Sequence, residues 1–296
     1  MKKTIILSAV LSASLCSCNS NVLDTVDEMT SLKVNIINDF ATKALIEDNH
    51  LAPGSEVGVT ILKADNSHYD GKAEYRNVRF TNSGGSGSQV WTPETDILLS
   101  STKGTLYAYY PYSASVTDIT KVPVSATSSV QTDYLYATPV GDLNNKKATA
   151  DVALKHALAA VRLSLTRGSY SGTGQVTAVS VNGDAIASGA TLDSMTGILS
   201  DFTGTGTRIS PSFEPFIVSS SPVIKDFIII PTGAEKPFTI KIDIDGVSIE
   251  AQTPAADLEE GVISELSVLI NSNDLEIPGV SVTPWTDTDK GTLEIL

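Results

Sequence analysis

The chain has 296 residues, enough for two domains of ordinary size or one large all-β unit. Asp and Glu outnumber Lys and Arg 34 to 20, a formal net charge of −14, which excludes nucleic acid as a partner because phosphate binding calls for a basic surface. Hydrophobic residues make up 41%, sufficient for a real core, and two cysteines can build neither a disulfide-rich scaffold nor a cysteine zinc site.

The N-terminus reads as an export signal. Lys2 and Lys3 form a positive leader, and residues 4–15 an apolar stretch too short to span a bilayer as a stable helix. It closes on Leu15-Cys16-Ser17-Cys18, which resembles a bacterial lipobox: an aliphatic residue three before a cysteine and a small residue directly before it. By that resemblance residues 1–17 are a lipoprotein signal peptide, and Cys18 is diacylated and becomes the first mature residue. Cys16 fits less well, because Leu15 would then hold the small-residue position. No later stretch approaches the ~18 apolar residues of a membrane span, so acyl chains on Cys18 would be the membrane attachment. With that cysteine lipidated no disulfide is available, and packing alone must hold the fold.

After the signal the pattern is β-sheet. Leu32-Lys33-Val34-Asn35-Ile36 alternates apolar and polar residues, as a half-buried strand does. Further runs rich in Val, Ile, Thr and Tyr lie at 56–62, 106–110, 159–165, 176–181 and 227–230, then at 238–244, 262–270 and 293–296. Within 238–244, Phe238, Ile240, Ile242 and Ile244 share one face, and Asp245-Gly246 after them is a tight-turn dipeptide. Two helix-like windows, 155–160 and 256–260, are short. Gly/Ser-rich loops fall at 83–88, 168–174 and 204–206, and the polar stretch 138–151 is the expected domain boundary. The class is all-β.

Catalytic constellations are missing from this pattern. The three histidines, His50, His68 and His156, have no metal-ligand spacing, and no cofactor or metal is expected. Gly168-Ser169-Tyr170-Ser171-Gly172 carries Tyr where a nucleophile elbow needs Ser, and Glu259 and Glu260, being adjacent, face opposite ways in an extended chain. His156, beside an apolar run, reads as a satisfied core or interface histidine. Tyr107, Tyr109, Tyr110 and Tyr112, with Trp91 and Trp285, read first as core aromatics and second as a platform on which a sugar could stack.

The lipobox and several ordered phrases resemble the Bacteroidales fimbrillin (Mfa-like) family, whose members build type V pili. The phrases are Ala41-Thr42-Lys43-Ala44, Val57-Gly58-Val59, Tyr107-Ala108-Tyr109-Tyr110-Pro111-Tyr112 and Gln131-Thr132-Asp133-Tyr134-Leu135-Tyr136-Ala137. Lys155-His156-Ala157-Leu158-Ala159 and Val282-Thr283-Pro284-Trp285, then Gly291-Thr292-Leu293, complete the set across the whole chain.

The resemblance implies two tandem transthyretin-like β-sandwich domains, here 44–150 and 151–296, preceded by a lipidated segment and removable first strand over 18–43. It also implies an assembly route. The precursor is anchored in the outer membrane, a trypsin-like protease removes the first strand, and a strand from the C-terminal region of another subunit fills the vacated groove. Lys43 matches the cleaved basic residue, so Ala44 would lead the mature subunit; the family's archetypal cut follows Arg, and this chain has none before Arg76. Leu32, Val34 and Ile36 would be the removable side chains. Val280 and Val282, or Leu293 and Ile295, would be the donated ones. Expected partners are copies of the chain or related fimbrial subunits, the processing protease, the outer membrane and a host or bacterial surface receptor. A donor-type C-terminus implies a shaft subunit. The competing expectation is an anchored surface lipoprotein that binds glycan or a host ligand through its aromatic faces. Asp24-Thr25-Val26 and Asp193-Ser194-Met195 also resemble the O-glycosylation signal of the same bacteria.

Overall fold

The computed structural model describes residues 28–37, 46–47, 50–84, 89–126, 131–272 and 274–285. Among them the only helical segments are two 3-10 turns, Tyr69–Gly71 and Ala73–Tyr75. The principal strands of the first half are β1 (Lys33–Ile37), β2 (Glu56–Leu62), β3 (Val78–Asn82), β4 (Trp91–Pro93) and β5 (Gly104–Tyr110). β6 (Val122–Ser125), β7 (Leu135–Ala137), β8 (Val140–Leu143) and β9 (Thr149–His156) follow.

All of these except β6 form one eight-stranded sheet in the order β1-β9-β7-β5-β2-β3-β4, with β8 added alongside β5. The end strands β1 and β4 come together, which curls the sheet around a core containing Val57, Val59, Ile61, Phe80, Leu106 and Leu135. β2 is buried on both faces, as its nearly unbroken apolar sequence requires of an inner strand.

The second half contributes β10 (Ala159–Arg167), β11 (Gln175–Asn182), β12 (Gly189–Leu192), β13 (Leu199–Thr203) and β14 (Val223–Ile229). β15 (Thr239–Ile244), β16 (Val247–Gln252), β17 (Val262–Ile270) and β18 (Val280–Pro284) complete it. One sheet runs β14-β10-β17, with β18 and Leu275–Glu276 on the outer side of β17. A second is built on β11-β15-β16, and a third, β6-β12-β13, borrows β6 from the first half. Between them lies a core of Val161, Leu163, Val179, Ile240, Ile242 and Leu266, to which Val122 and Val124 of β6 also belong.

The 238–244 pattern holds: Phe238, Ile240, Ile242 and Ile244 are buried. The turn after it places Asp245 at φ 48 and Gly246 at φ 80, the left-handed pair of a two-residue hairpin. The helix-like windows are not helical: 155–156 ends β9, 159–160 begins β10, and Ala256 forms an isolated bridge with Lys236. The polar stretch 138–151 carries β8 and the start of β9, and the two cores part between Leu154 and Ala157.

Candidate functional site: the seat of the first strand

The alternation at 32–36 becomes alternating burial. Leu32, Val34 and Ile36 each retain 5% of their surface and join the first core, while Lys33, Asn35 and Ile37 face out. The lead-in pairs Thr30 with Leu99 and Ser31 with Leu98, and Leu32 N donates to Ile97 O at 2.8 Å. From Lys33 onward the strand pairs in parallel with β9, Thr149↔Lys33 through Ala153↔Ile37. Asn35 Nδ2 donates to Asp151 Oδ1 at 2.9 Å on the exposed face.

Among the described residues β1 therefore occupies an apolar seat and has a ladder partner, β9, along one edge. β10 offers a contrast within the same molecule. It too pairs in parallel, with β17 over Ala160↔Ile263 to Arg167↔Ile270, but β14 covers its other edge over seven residue pairs.

At the other end of the chain β18 is an edge strand. It pairs antiparallel with β17, Val262↔Pro284 through Leu266↔Val280. Val280 and Val282 share a face, opposite Leu266 and Ser264, yet Val282 is 58% exposed. Alternation marks a strand's two faces; it does not say whether the nearer one is covered. Cys18, Lys43, Ala44, Leu293 and Ile295 lie outside the described residues.

Trp285 follows β18 and turns inward. Its ring stacks on His156 at 3.8 Å with 5° between planes, and its backbone N donates to Gly261 O at 2.8 Å. His156 Nδ1 lies 2.7 Å from Asp133 Oδ2, and both side chains are buried. The histidine is thus a buried residue held between the Asp133 carboxylate and the Trp285 ring. What sequence could not give was its stacking partner, 129 positions away. Beside this cluster burial pushes the Glu260 carboxyl above the usual range, against the lowering effect of the Tyr136 hydroxyl 3.5 Å away.

The aromatic platform is not formed. Trp91, Trp285, Tyr109 and Tyr110 are buried, and Tyr107 and Tyr112 are half-buried. Burial pushes Tyr109 and Tyr110 up to about 12, so both hydroxyls stay protonated. A cleft of about 350 Å³ does open beside Glu56, Tyr110 and Tyr112. The charged residue lining it, Glu56, is paired with Arg79 at 3.3 Å, and that guanidinium also reaches Glu94 at 3.3 Å and lies over the Tyr112 ring. Ser194 is fully buried and its hydroxyl donates to Ile119 O at 2.7 Å, so the folded chain presents no glycan acceptor there. Asp24-Thr25-Val26 lies outside the described residues.

Residues 42–285 match the Fimbrillin-like family model. The chain belongs to the fimbrillin-like family. No curated protein matches it. Among solved structures, a candidate cell adhesion protein from Bacteroides uniformis superposes with TM-score 0.67 at 19% identity, over 87% of this chain and 99% of that one. A candidate cell adhesion protein from Bacteroides ovatus gives 0.66 at 17%, over 89% and 99%. A fimbrial protein from Bacteroides vulgatus gives 0.50 at 13%, over 88% and 100%. These likenesses establish a shared fold across nearly the whole fimbrillin-like chain.

Proposed function

We propose that this fimbrillin-like chain is a structural shaft subunit of a cell-surface fimbria that polymerises by donor-strand exchange. It is exported as an outer-membrane lipoprotein on Cys18, and cleavage after Lys43 leaves Ala44 as the mature N-terminus. The two cores support a reading as tandem transthyretin-like sandwiches. The role is mechanical and requires no catalysis.

The observation that carries this reading is the seat of β1. Three alternate side chains fill it, at about 1.5–3 kcal/mol each, through a strand whose ladder from Lys33 onward, among the described residues, is with β9. A strand of similar alternation from another subunit could take the same place, with the exposed ladder edge of β9 as its template. The chain's own candidates are Val280 with Val282 and Leu293 with Ile295. The pairing of β18 with β17 and the burial of Trp285 favour the second pair, since donating the first means dismantling a sheet edge.

Limited trypsin treatment of the purified full chain tests this. The expected result is a cut after Lys43, loss of the 18–43 segment and SDS-resistant ladders on gels. A chain clipped there that remains strictly monomeric at high concentration would sink the proposal.

A further inference from the structure

β9 is touched at one end by the first strand and at the other by the root of the last. Residues 149–153 pair with β1, and Ala150 and Val152 share the core with Val34 and Ile36. β7 supports only the remaining part, Ala137↔Leu154 through Leu135↔His156. The portion of β9 that β1 holds is therefore not the portion β7 holds. Where the two portions meet, the Ala153 carbonyl accepts from Thr138 N at 3.1 Å.

At the far end, His156 is the residue on which Trp285 stacks, with Asp133 fixing the imidazole from behind. Gly261 joins the same point: its N donates to Leu158 O, and its carbonyl accepts from Trp285 N. Among the described residues β18 is laddered along one edge, to β17, and Trp285 anchors it at its C-terminal end.

We infer that β9 couples the two ends of the subunit: the seat of the first strand and the grip on Trp285 tighten and loosen together. With β1 in place every residue of β9 has a ladder partner, 149–153 in β1 and 154–156 in β7. Without it, residues 149–153 lose their ladder partner, and His156 sits at the end of a strand laddered over three residues rather than eight. Coupling of this kind is reciprocal, so whatever factor β1 adds to the hold on β18, the Trp285 stack adds to the hold on β1. The consequence for assembly, which rests on the exchange reading above, is order: a subunit loosens its C-terminal end only after its own seat has been emptied.

The chain's two tryptophans make the test direct, because Trp91 lies in the first core and Trp285 on the seam. In the full-length W91F variant, Trp285 is the sole indole emitter. Adding Val34→Asp, which puts a charge into the seat, is expected to red-shift that emission. It should also speed amide exchange over 280–284 by about tenfold, with exchange in β11 and β15 unchanged. Conversely, Trp285→Ala or His156→Ala should speed exchange over 30–37 by a similar factor. If V34D prevents folding, the milder Ile36→Ala serves in its place, with unchanged exchange in β11 and β15 as the sign that the second core is intact. Fast exchange over 30–37 with unaltered Trp285 emission and unaltered 280–284 protection overturns the coupling. Neither readout involves assembly, so the coupling can fail while strand exchange stands, and the reverse.

Discussion

Gly58 sits in the middle of β2, and a Cβ there would fall on the Tyr109 ring and the Asn77 amide. Neither neighbour can move freely. Tyr109 Oη donates to Asn77 Oδ1 at 2.7 Å, and Asn77, at φ 51, donates through Nδ2 to the Ser113 and Val116 carbonyls. Gly58→Ala should therefore cost about 1–3 kcal/mol, seen as a lower denaturation midpoint in urea with little change in slope. Asp245 makes a different kind of residue-scale prediction. It accepts from Thr173 Oγ1, from Gly174 N at 2.8 Å and from Gln175 N at 3.0 Å, and these bonds hold its carboxyl at about 2. Its folded pKa is depressed, so the stabilisation is complete above the ordinary carboxylate range and is lost as pH falls toward 2. Asp245→Asn should flatten the decline of stability across that acid window; an unchanged slope in pH-dependent urea titrations would contradict this assignment.

At the scale of elements, the two outer edges of the β14-β10-β17 sheet are finished differently. On β14, Lys225 points inward under Phe213 and Phe216, 4.7 and 4.9 Å from their ring centres, and the Ile228 N–H donates to Gln131 Oε1. Both devices discourage pairing with a foreign strand. β18 carries no charge and leaves Val282 in water. Between β10 and β14, Arg162 Nε donates to Asp226 Oδ1 at 2.9 Å in a buried pair. Asp226→Ala alone should destabilise by about 3–5 kcal/mol, because it removes the carboxylate that faces a buried guanidinium. Replacing both residues with apolar side chains of similar volume should recover most of that loss in calorimetry. Local periodicity made several elements legible: 32–36 and 238–244 each state their buried face outright. The polar run at 138–151 carries strands as well as turns. β8 pairs with the inner strand β5 yet fully buries only Leu143, so with its polar Asn144–Lys147 turn it looks like a linker. Pairings across long separations, such as β10 with β17 or Trp285 with His156, leave no periodic trace at all.

For the whole molecule, the arrangement of the cores sets how far damage travels. The first core includes β1, β2, β5 and β9; the second is built on β10, β11, β15 and β17. They meet where β9 gives way to β10, and β6 and Tyr109 cross from the first half into the second core. A subunit that must lose its first strand without unfolding needs this separation, because emptying the seat exposes only one of two apolar interiors. Ile36→Ala removes three methyl-equivalents from that seat and should cost about 2–4 kcal/mol. Its effect in hydrogen exchange should be faster opening through β1, β2 and β9, while β11 and β15 keep their protection. β11 and β15 lie in a sheet to which the eight-stranded one contributes no strand, and their inward residues Val179, Ile240 and Ile242 belong to the second core. Acceleration spread evenly over both halves would mean that the chain opens as one cooperative unit. A strand could then not be removed from one end without loosening the entire subunit, and a fibre of such subunits could not form by trimming and refilling.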